Sequence, residues 1–306
     1  RTLVTGRPEL LRRPHAPLLR ALRKLGVRGK RRHSGALRIH GGGLRRNRVV
    51  VDGARSSQFA SALLLIGARA GGLEVRFTEA PVSRPYLGLT LEALEQFGLG
   101  ARWMPDGGGI EVDAGVPARA IVDLNGDASA AAAWWAAAAV TGSRVQVPSI
   151  HPSRPQADLA ILPILEAMGC EVGEDGVGGV IVTGPTDRLR SPGTLSLRNA
   201  PDLTPLVAAL AALAEGTTEL TGLEHLRHKE TDRIESVIHM LRSLGGRIES
   251  TDTGVLRIEE APLHGAVCST RGDHRLGFAL GVLGLAVPGI EIRRAGAVSK
   301  SHPLFF

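Results

Sequence analysis

Lysine is nearly absent from this chain: it occurs at positions 24, 30, 229 and 300 only, against 33 arginines. An Arg-for-Lys bias on that scale reflects genome composition and does not argue for a nucleic-acid partner. The formal charge of +7 and the pI near 10.3 therefore suit acidic ligands without saying whether they are small or polymeric. Cysteine is scarce too. Cys170 and Cys268 form no CxxC pair and no metal-ligand spacing, which excludes a disulfide framework or a thiolate zinc site and fits a reduced cytoplasmic setting. The longest apolar run, Ala130–Val140, is too short to span a bilayer, and no secretory signal pattern is visible. The basic stretch from Arg28 to Arg48 has no aromatic residue to stack on bases, so it reads as a solvated turn and strand region. The first residue is Arg1, and Leu3-Val4-Thr5-Gly6 already looks like a strand and turn. The chain reads as a fragment.

What is present is a repeat. With 306 residues, 43% of them hydrophobic, the chain has room for two domains and a sizeable core. Amphipathic helices end in a bulky residue and a glycine at Leu25-Gly26, Phe97-Gly98, Met168-Gly169 and Leu244-Gly245. The spacing between these glycines is 72, 71 and 76 residues, and each is a natural left-handed helix stop. A second, Ala-rich helix type recurs in step over Phe59–Ala68, Ala128–Val140, Leu203–Ala214 and Leu276–Ala286. Ser56-Ser57-Gln58, Asp127, Asp202 and Asp273 open these helices, and a short β-branched strand follows each one. The unit is roughly β-α-β-α-β-β, about four times over. Helices apolar on every face must be buried, so they belong in the centre with strands outside. Their positive N-terminal ends then gather several anion-attracting groups in one region.

The stretch His225-Leu226-Arg227-His228-Lys229-Glu230-Thr231-Asp232-Arg233 is the densest run of chemistry in the chain. It leads into an apolar stripe at helical spacing, with Thr231 or Asp232 placed to cap the helix. On that helix Lys229 and Arg233 would share a side, with Glu230 beside both. Two cations and a carboxylate at a helix start make an anion site that holds an acid/base group.

Taken in order, the motifs resemble those of the 5-enolpyruvylshikimate-3-phosphate synthase family. They are Arg13-Pro14, Ser56-Ser57-Gln58, Ser83-Arg84-Pro85-Tyr86, Gly126-Asp127-Ala128-Ser129, Pro201-Asp202, Lys229-Glu230-Thr231-Asp232-Arg233, Asp273-His274-Arg275 and Lys300-Ser301-His302-Pro303. The resemblance implies an α/β fold, a two-lobed inside-out barrel of βαβαββ repeats with buried helices and outer sheets. Residues 1–125 would supply the first lobe and 126–306 the second, about two units each. The N-terminal repeats would be partly missing, with the family's lysine motif and glycine-rich loop lying upstream of Arg1. The expected reaction transfers the enolpyruvyl group of phosphoenolpyruvate to the 5-hydroxyl of shikimate 3-phosphate and releases phosphate. It takes no cofactor and no metal, and the 306-residue chain alone is expected to show little turnover.

The roles carry over residue by residue. Ser56, Ser57, Ser83 and Tyr86 resemble ligands for shikimate 3-phosphate, and Gln58 would stand between the two substrates. Lys229 would hold ring hydroxyls beside Asp202, the candidate base, and Glu230 would serve the enol methylene. Arg13, Arg233, Arg275 and Lys300 resemble the cations that grip phosphoenolpyruvate. His225 stands where the family has an asparagine facing shikimate 3-phosphate. Asp127, Ser129 and His274 read as structural. A cytoplasmic monomer that binds neither nucleic acid nor membrane is expected. The alternatives are a non-catalytic remnant of the fold, the sister enzyme acting on UDP-N-acetylglucosamine, and a basic nucleic-acid-binding protein.

Overall fold

The computed structural model describes residues 1–118, 121–122, 124–229, 231–251 and 254–306, without the side chains of Glu9, Arg12 and His228. The chain divides into two compact units, Arg1–Asp123 and Leu124–Phe306.

The first unit runs β1 (Thr2–Val4), α1 (Pro8–Arg12), α2 (Ala16–Lys24), β2 (Gly29–Arg31), β3 (Leu37–Ile39), β4 (Arg48–Val51), α3 (Gln58–Arg69), β5 (Leu73–Phe77), α4 (Arg84–Gln96), β6 (Ala101–Trp103) and β7 (Gly109–Val112). From β4 onward this is one complete βαβαββ repeat. Helix α3 carries the chain between the parallel strands β4 and β5, and the sheet closes antiparallel in the order β4-β5-β7-β6. Leu63, Leu64, Val75, Leu87 and Ile110 are fully buried in its core. Ahead of it, β1, β3 and β2 form a separate antiparallel sheet.

The second unit runs α5 (Ala128–Thr141), β8 (Arg144–Val147), α6 (Ile161–Ala167), β9 (Glu171–Glu174), β10 (Val180–Thr183), β11 (Thr194–Ser196), α7 (Thr204–Leu213), β12 (Thr217–Thr221), α8 (Arg233–Ser243), β13 (Arg247–Ser250), β14 (Leu256–Glu259), β15 (Val267–Ser269), α9 (His274–Ala286) and β16 (Glu291–Arg293). The segment β11–β14 repeats the order and pairing of β4–β7. The β8-β10-β9 sheet is the antiparallel part of the same pattern, and the β15–β16 pair is its parallel part.

All four repeat glycines adopt the left-handed conformation the sequence requires, with φ of 94° at Gly26, 74° at Gly98, 101° at Gly169 and 85° at Gly245. Each helix end closes with the same pair of hydrogen bonds, from the glycine N–H to the residue three back and from the next N–H to the residue five back. This is the repeat written in backbone geometry.

Helices α5, α7 and α9 pack on one another in the middle of the second unit. Alanine makes this possible, because only small side chains let several helices approach at once. Trp135 fills the remaining space with no exposed area; burying such a side chain contributes roughly 1.5–3 kcal/mol. Gly277 is required where α9 passes the loop after β16, since a Cβ there would lie 2.5 Å from Val298 Cγ1. Among the described residues no helix is long and apolar enough to cross a membrane.

Two expectations about helix starts need correction. Asp127, Asp232 and Asp273 cap α5, α8 and α9, each accepting a backbone N–H. Asp202 caps nothing: it sits in the 3-10 turn Pro201–Leu203 ahead of α7 and makes no capping hydrogen bond. Lys229 is not on a helix with Arg233. It follows the 3-10 turn Glu224–His228 in extended conformation, and α8 begins only at Arg233.

Candidate active site

Within the second unit, the N-terminal ends of α5, α7, α8 and α9 are tied together by one network of charged side chains. Asp202 is its centre. Its Oδ1 accepts from Arg233 at 2.7 Å and from Lys229 Nζ at 3.2 Å, and its Oδ2 accepts from Arg275 at 3.3 Å. Arg233 also donates to Asp273 through Nε at 3.0 Å, and Arg275 also donates to Asp158 at 3.4 Å. Asp158 in turn accepts the Ser129 hydroxyl from the first turn of α5.

The burial of this network is unusual for charged groups. The Arg233 and Asp273 side chains are 1% and 0% exposed, while Asp202 and Lys229 keep 21% and 26%. An unpaired buried ion costs several kcal/mol, so each charge demands a partner. One edge of the network thus stays open to solvent.

Burial alone would raise the Asp202 carboxyl, but Lys229, Arg275 and Arg233 outweigh it and hold the group well below the usual carboxylate range. For Asp158, burial outweighs the opposing charge of Arg275 and pushes the carboxyl pKa up. Its second oxygen is buried without a hydrogen-bond partner. Three cations, Lys229, Arg233 and Arg275, thus share the carboxyl groups of Asp202, Asp273 and Asp158.

His225 lies in the 3-10 turn just before Lys229, 6% exposed, with neither ring nitrogen hydrogen-bonded. Burial and then the Lys229 charge lower its pKa to about 4, so the ring is neutral near pH 7. Two unsatisfied buried nitrogens cost free energy unless a ligand group meets them. Lys300 ends the 3-10 turn Ala295–Lys300 and is exposed.

The expected residues of the first unit also stand at helix ends. Ser57 is buried at the start of α3 with no capping bond from its hydroxyl. The Ser56 hydroxyl accepts the Gln58 N–H at 3.2 Å, and the Gln58 side chain is exposed. Ser83 precedes α4 in left-handed conformation, φ 56°, with a buried side chain. A non-glycine residue held there is strained. Tyr86 follows one turn in, half-buried, its N–H donating to the Ser83 carbonyl. Arg13 is half-buried just past the end of α1.

The model of the EPSP synthase family, 3-phosphoshikimate 1-carboxyvinyltransferase, matches residues 1–306. The chain belongs to the EPSP synthase family. A Halobacterium salinarum relative named 3-phosphoshikimate 1-carboxyvinyltransferase is 39% identical over 317 residues, spanning 100% of this chain and 72% of the relative. One of the same name from Aeropyrum pernix is 38% identical over 308 residues, covering 99% of this chain and 70% of its own length. Among solved structures, EPSP synthase from Acinetobacter baumannii superposes with a TM-score of 0.78 at 26% identity, over 99% of this chain and 72% of that one.

Membership in the EPSP synthase family gives the network its context. Asp202, Lys229, Arg233 and Arg275, all expected from sequence, meet in one cluster. Glu230, the expected acid/base group, lies outside the described residues. Two members went unrecognised as parts of the site. Asp273, which the sequence offers as a helix opener and part of the Asp273-His274-Arg275 motif with no site role of its own, also holds Arg233. Asp158 carried no signal at all: it is a lone acid in a 3-10 turn, and it reaches Arg275 only through the fold.

Proposed function

We propose that this chain transfers the enolpyruvyl group of phosphoenolpyruvate to the 5-hydroxyl of shikimate 3-phosphate, releasing phosphate. The observation that carries the reading is the Asp202 carboxylate gripped by Lys229, Arg233 and Arg275 where four helix N-termini meet. The reaction needs a base for the attacking hydroxyl, an acid for the enol methylene, and fixed cations for two phosphorylated substrates.

In the ligand-free arrangement Asp202 is a weak base, because three cations stabilise its anion. A substrate phosphate or carboxylate draws on those same cations. Sharing them raises the Asp202 pKa toward the range in which a carboxylate accepts a proton usefully. Substrate binding and base activation are thus one electrostatic event. Lys229 beside Asp202 places an ammonium next to the hydroxyl that loses its proton. Arg233 and Arg275, with Lys300, serve phosphoenolpyruvate.

In the first unit Ser56, Ser57, Ser83 and Tyr86 are assigned to shikimate 3-phosphate, with Gln58 toward both substrates and Arg13 toward phosphoenolpyruvate. His225 is assigned to shikimate 3-phosphate, and Glu230 to protonation of the methylene. The ordered motifs support these roles. They also disfavour the UDP-N-acetylglucosamine enzyme. A monomeric cytoplasmic enzyme without cofactor completes the reading.

The test is Asp202→Asn in the complete gene product, assayed for phosphate release with both substrates. Loss of a positioned base lowers turnover by roughly 10²- to 10⁴-fold, with unchanged circular dichroism. Turnover close to that of the parent would refute the assignment.

A further inference from the structure

Charge is distributed very unevenly along this molecule. Residues 1–51 contain 15 Lys and Arg and a single carboxylate, Glu9, whereas residues 52–306 contain 22 cations and 29 carboxylates. An Arg-for-Lys bias exchanges one cation for another. It does not remove acids from one segment.

The structure shows where those charges go. Elsewhere on the surface several arginines are neutralised by neighbouring carboxylates: Arg48 and Arg76 by Glu74, Arg102 by Glu111 and Asp113, Arg188 by Glu215 and Glu260. The β2–β3 hairpin is built differently. Lys30 lies directly opposite Arg38 across the two strands, a like-charge pairing that destabilises a sheet. Arg32, two residues beyond Lys30, adds a third cation to the same face. Arg31, between them, donates to the Leu11 carbonyl. Among the described residues Lys30, Arg32 and Arg38 have no carboxylate partner. Desolvation and then the charges of Arg1 and Arg32 lower the Arg38 pKa.

Lys30, Arg31, Arg32, His33, Ser34 and Arg38 line a cavity of about 340 Å³. That is the size of a small-molecule site. Five of these six residues are exposed, with Arg38 half-buried, and they border one open depression.

We infer that this hairpin cavity is an accessory site for a small multivalent phosphate, a chain of two or three phosphate groups. Neighbouring, unneutralised cations favour phosphate, and arginine binds its oxygens in pairs. Their number calls for more charge than one phosphate carries. No Phe, Tyr or Trp precedes Phe59, so this sheet offers no large aromatic platform for successive bases. That turns the choice from single-stranded nucleic acid to a free oligophosphate. The inference is independent of enolpyruvyl transfer.

Inorganic tripolyphosphate, titrated calorimetrically into the complete gene product saturated with shikimate 3-phosphate, tests it. One equivalent binds, more weakly as salt rises. Lys30→Ser and Arg38→Ser each weaken binding about tenfold, the worth of one charge-assisted hydrogen bond, and neither alters turnover. The variants keep or gain thermal stability, because each removes a repulsion. The inference is overturned if tripolyphosphate fails to bind, if the variants bind it as well as the parent, or if shikimate 3-phosphate displaces it. It is equally overturned if a short DNA duplex binds the same hairpin more tightly than tripolyphosphate does.

Discussion

Two clusters of cations in this chain obey opposite rules. In the second unit Lys229, Arg233 and Arg275 are buried or half-buried, and each is held by at least one carboxylate. In the first unit Lys30, Arg32 and Arg38 share one face of a hairpin with no carboxylate partner among the described residues. The inner cluster could not exist unpaired, because desolvated ions without partners would unfold it. The outer cluster tolerates its repulsion only because water and salt screen it. Pairing therefore marks where charge is built into the fold, and its absence marks where charge is left for something else to neutralise.

The sharpest way to break that contrast is Arg233→Met. It leaves Asp273 buried without its guanidinium partner and takes one of three cations from Asp202. Breaking a buried pair from one side costs about 3–5 kcal/mol. Urea unfolding should show a loss of that size, along with loss of turnover. A loss under about 1 kcal/mol, the value of an exposed pair, would mean that the inner network is not structural. Arg233→Lys should recover little, since one ammonium cannot reproduce the bidentate grip on Asp273.

Asp158→Asn is a smaller and more selective change. It replaces the carboxyl group that holds Arg275 on the side away from Asp202 with a weaker, neutral amide acceptor. The guanidinium then leans more on Asp202, and its aim toward phosphoenolpyruvate is loosened. KM for phosphoenolpyruvate should rise about tenfold, while kcat and KM for shikimate 3-phosphate move little. A purely structural role would lower the melting temperature and leave the two KM values in their original ratio.

How much of this was legible in the sequence depends on distance along the chain. The repeat was fully legible, because Gly26, Gly98, Gly169 and Gly245 each perform a local task that only a residue at ease with positive φ performs well. The buried helices were legible because Ala-rich segments without a polar face have one stable location. The misreadings concern groups whose partners are remote. Lys229 and Arg233, four apart in a charged run, look like one helix face; the 3-10 turn before them breaks that geometry, and Asp202 brings them together from 27 and 31 residues away. Asp202 resembles a cap, yet the 3-10 turn Pro201–Leu203 leaves its carboxylate aimed at cations. Asp158 and Arg275 are 117 residues apart, and no local pattern encodes that contact.

His225 gives a pH test of the inner region. Its folded pKa, about 4, is below the unfolded value near 6.5. Between these values the unfolded chain binds more protons than the folded one, so stability rises with pH across that window and falls on acidification. His225→Asn should flatten this slope between pH 4 and 6.5 in urea unfolding. An unchanged slope would show that the ring is not the buried neutral group described above.

The smallest effect belongs to the outer cluster and sharpens the comparison most directly. Lys30→Glu converts the repulsive pair with Arg38 into an attractive one at the same cross-strand position. If the outer cations lack partners because a ligand supplies the counter-charge, a carboxylate placed there improves the fold at the ligand's expense. The melting temperature should rise slightly at low salt, and the gain should fade as salt screens both the old repulsion and the new attraction. Tripolyphosphate binding should fall further than in Lys30→Ser, since the new carboxylate repels the phosphate chain. A variant no more stable than the parent at low salt would mean that Lys30 and Arg38 do not repel, and the contrast between the two clusters would reduce to burial alone.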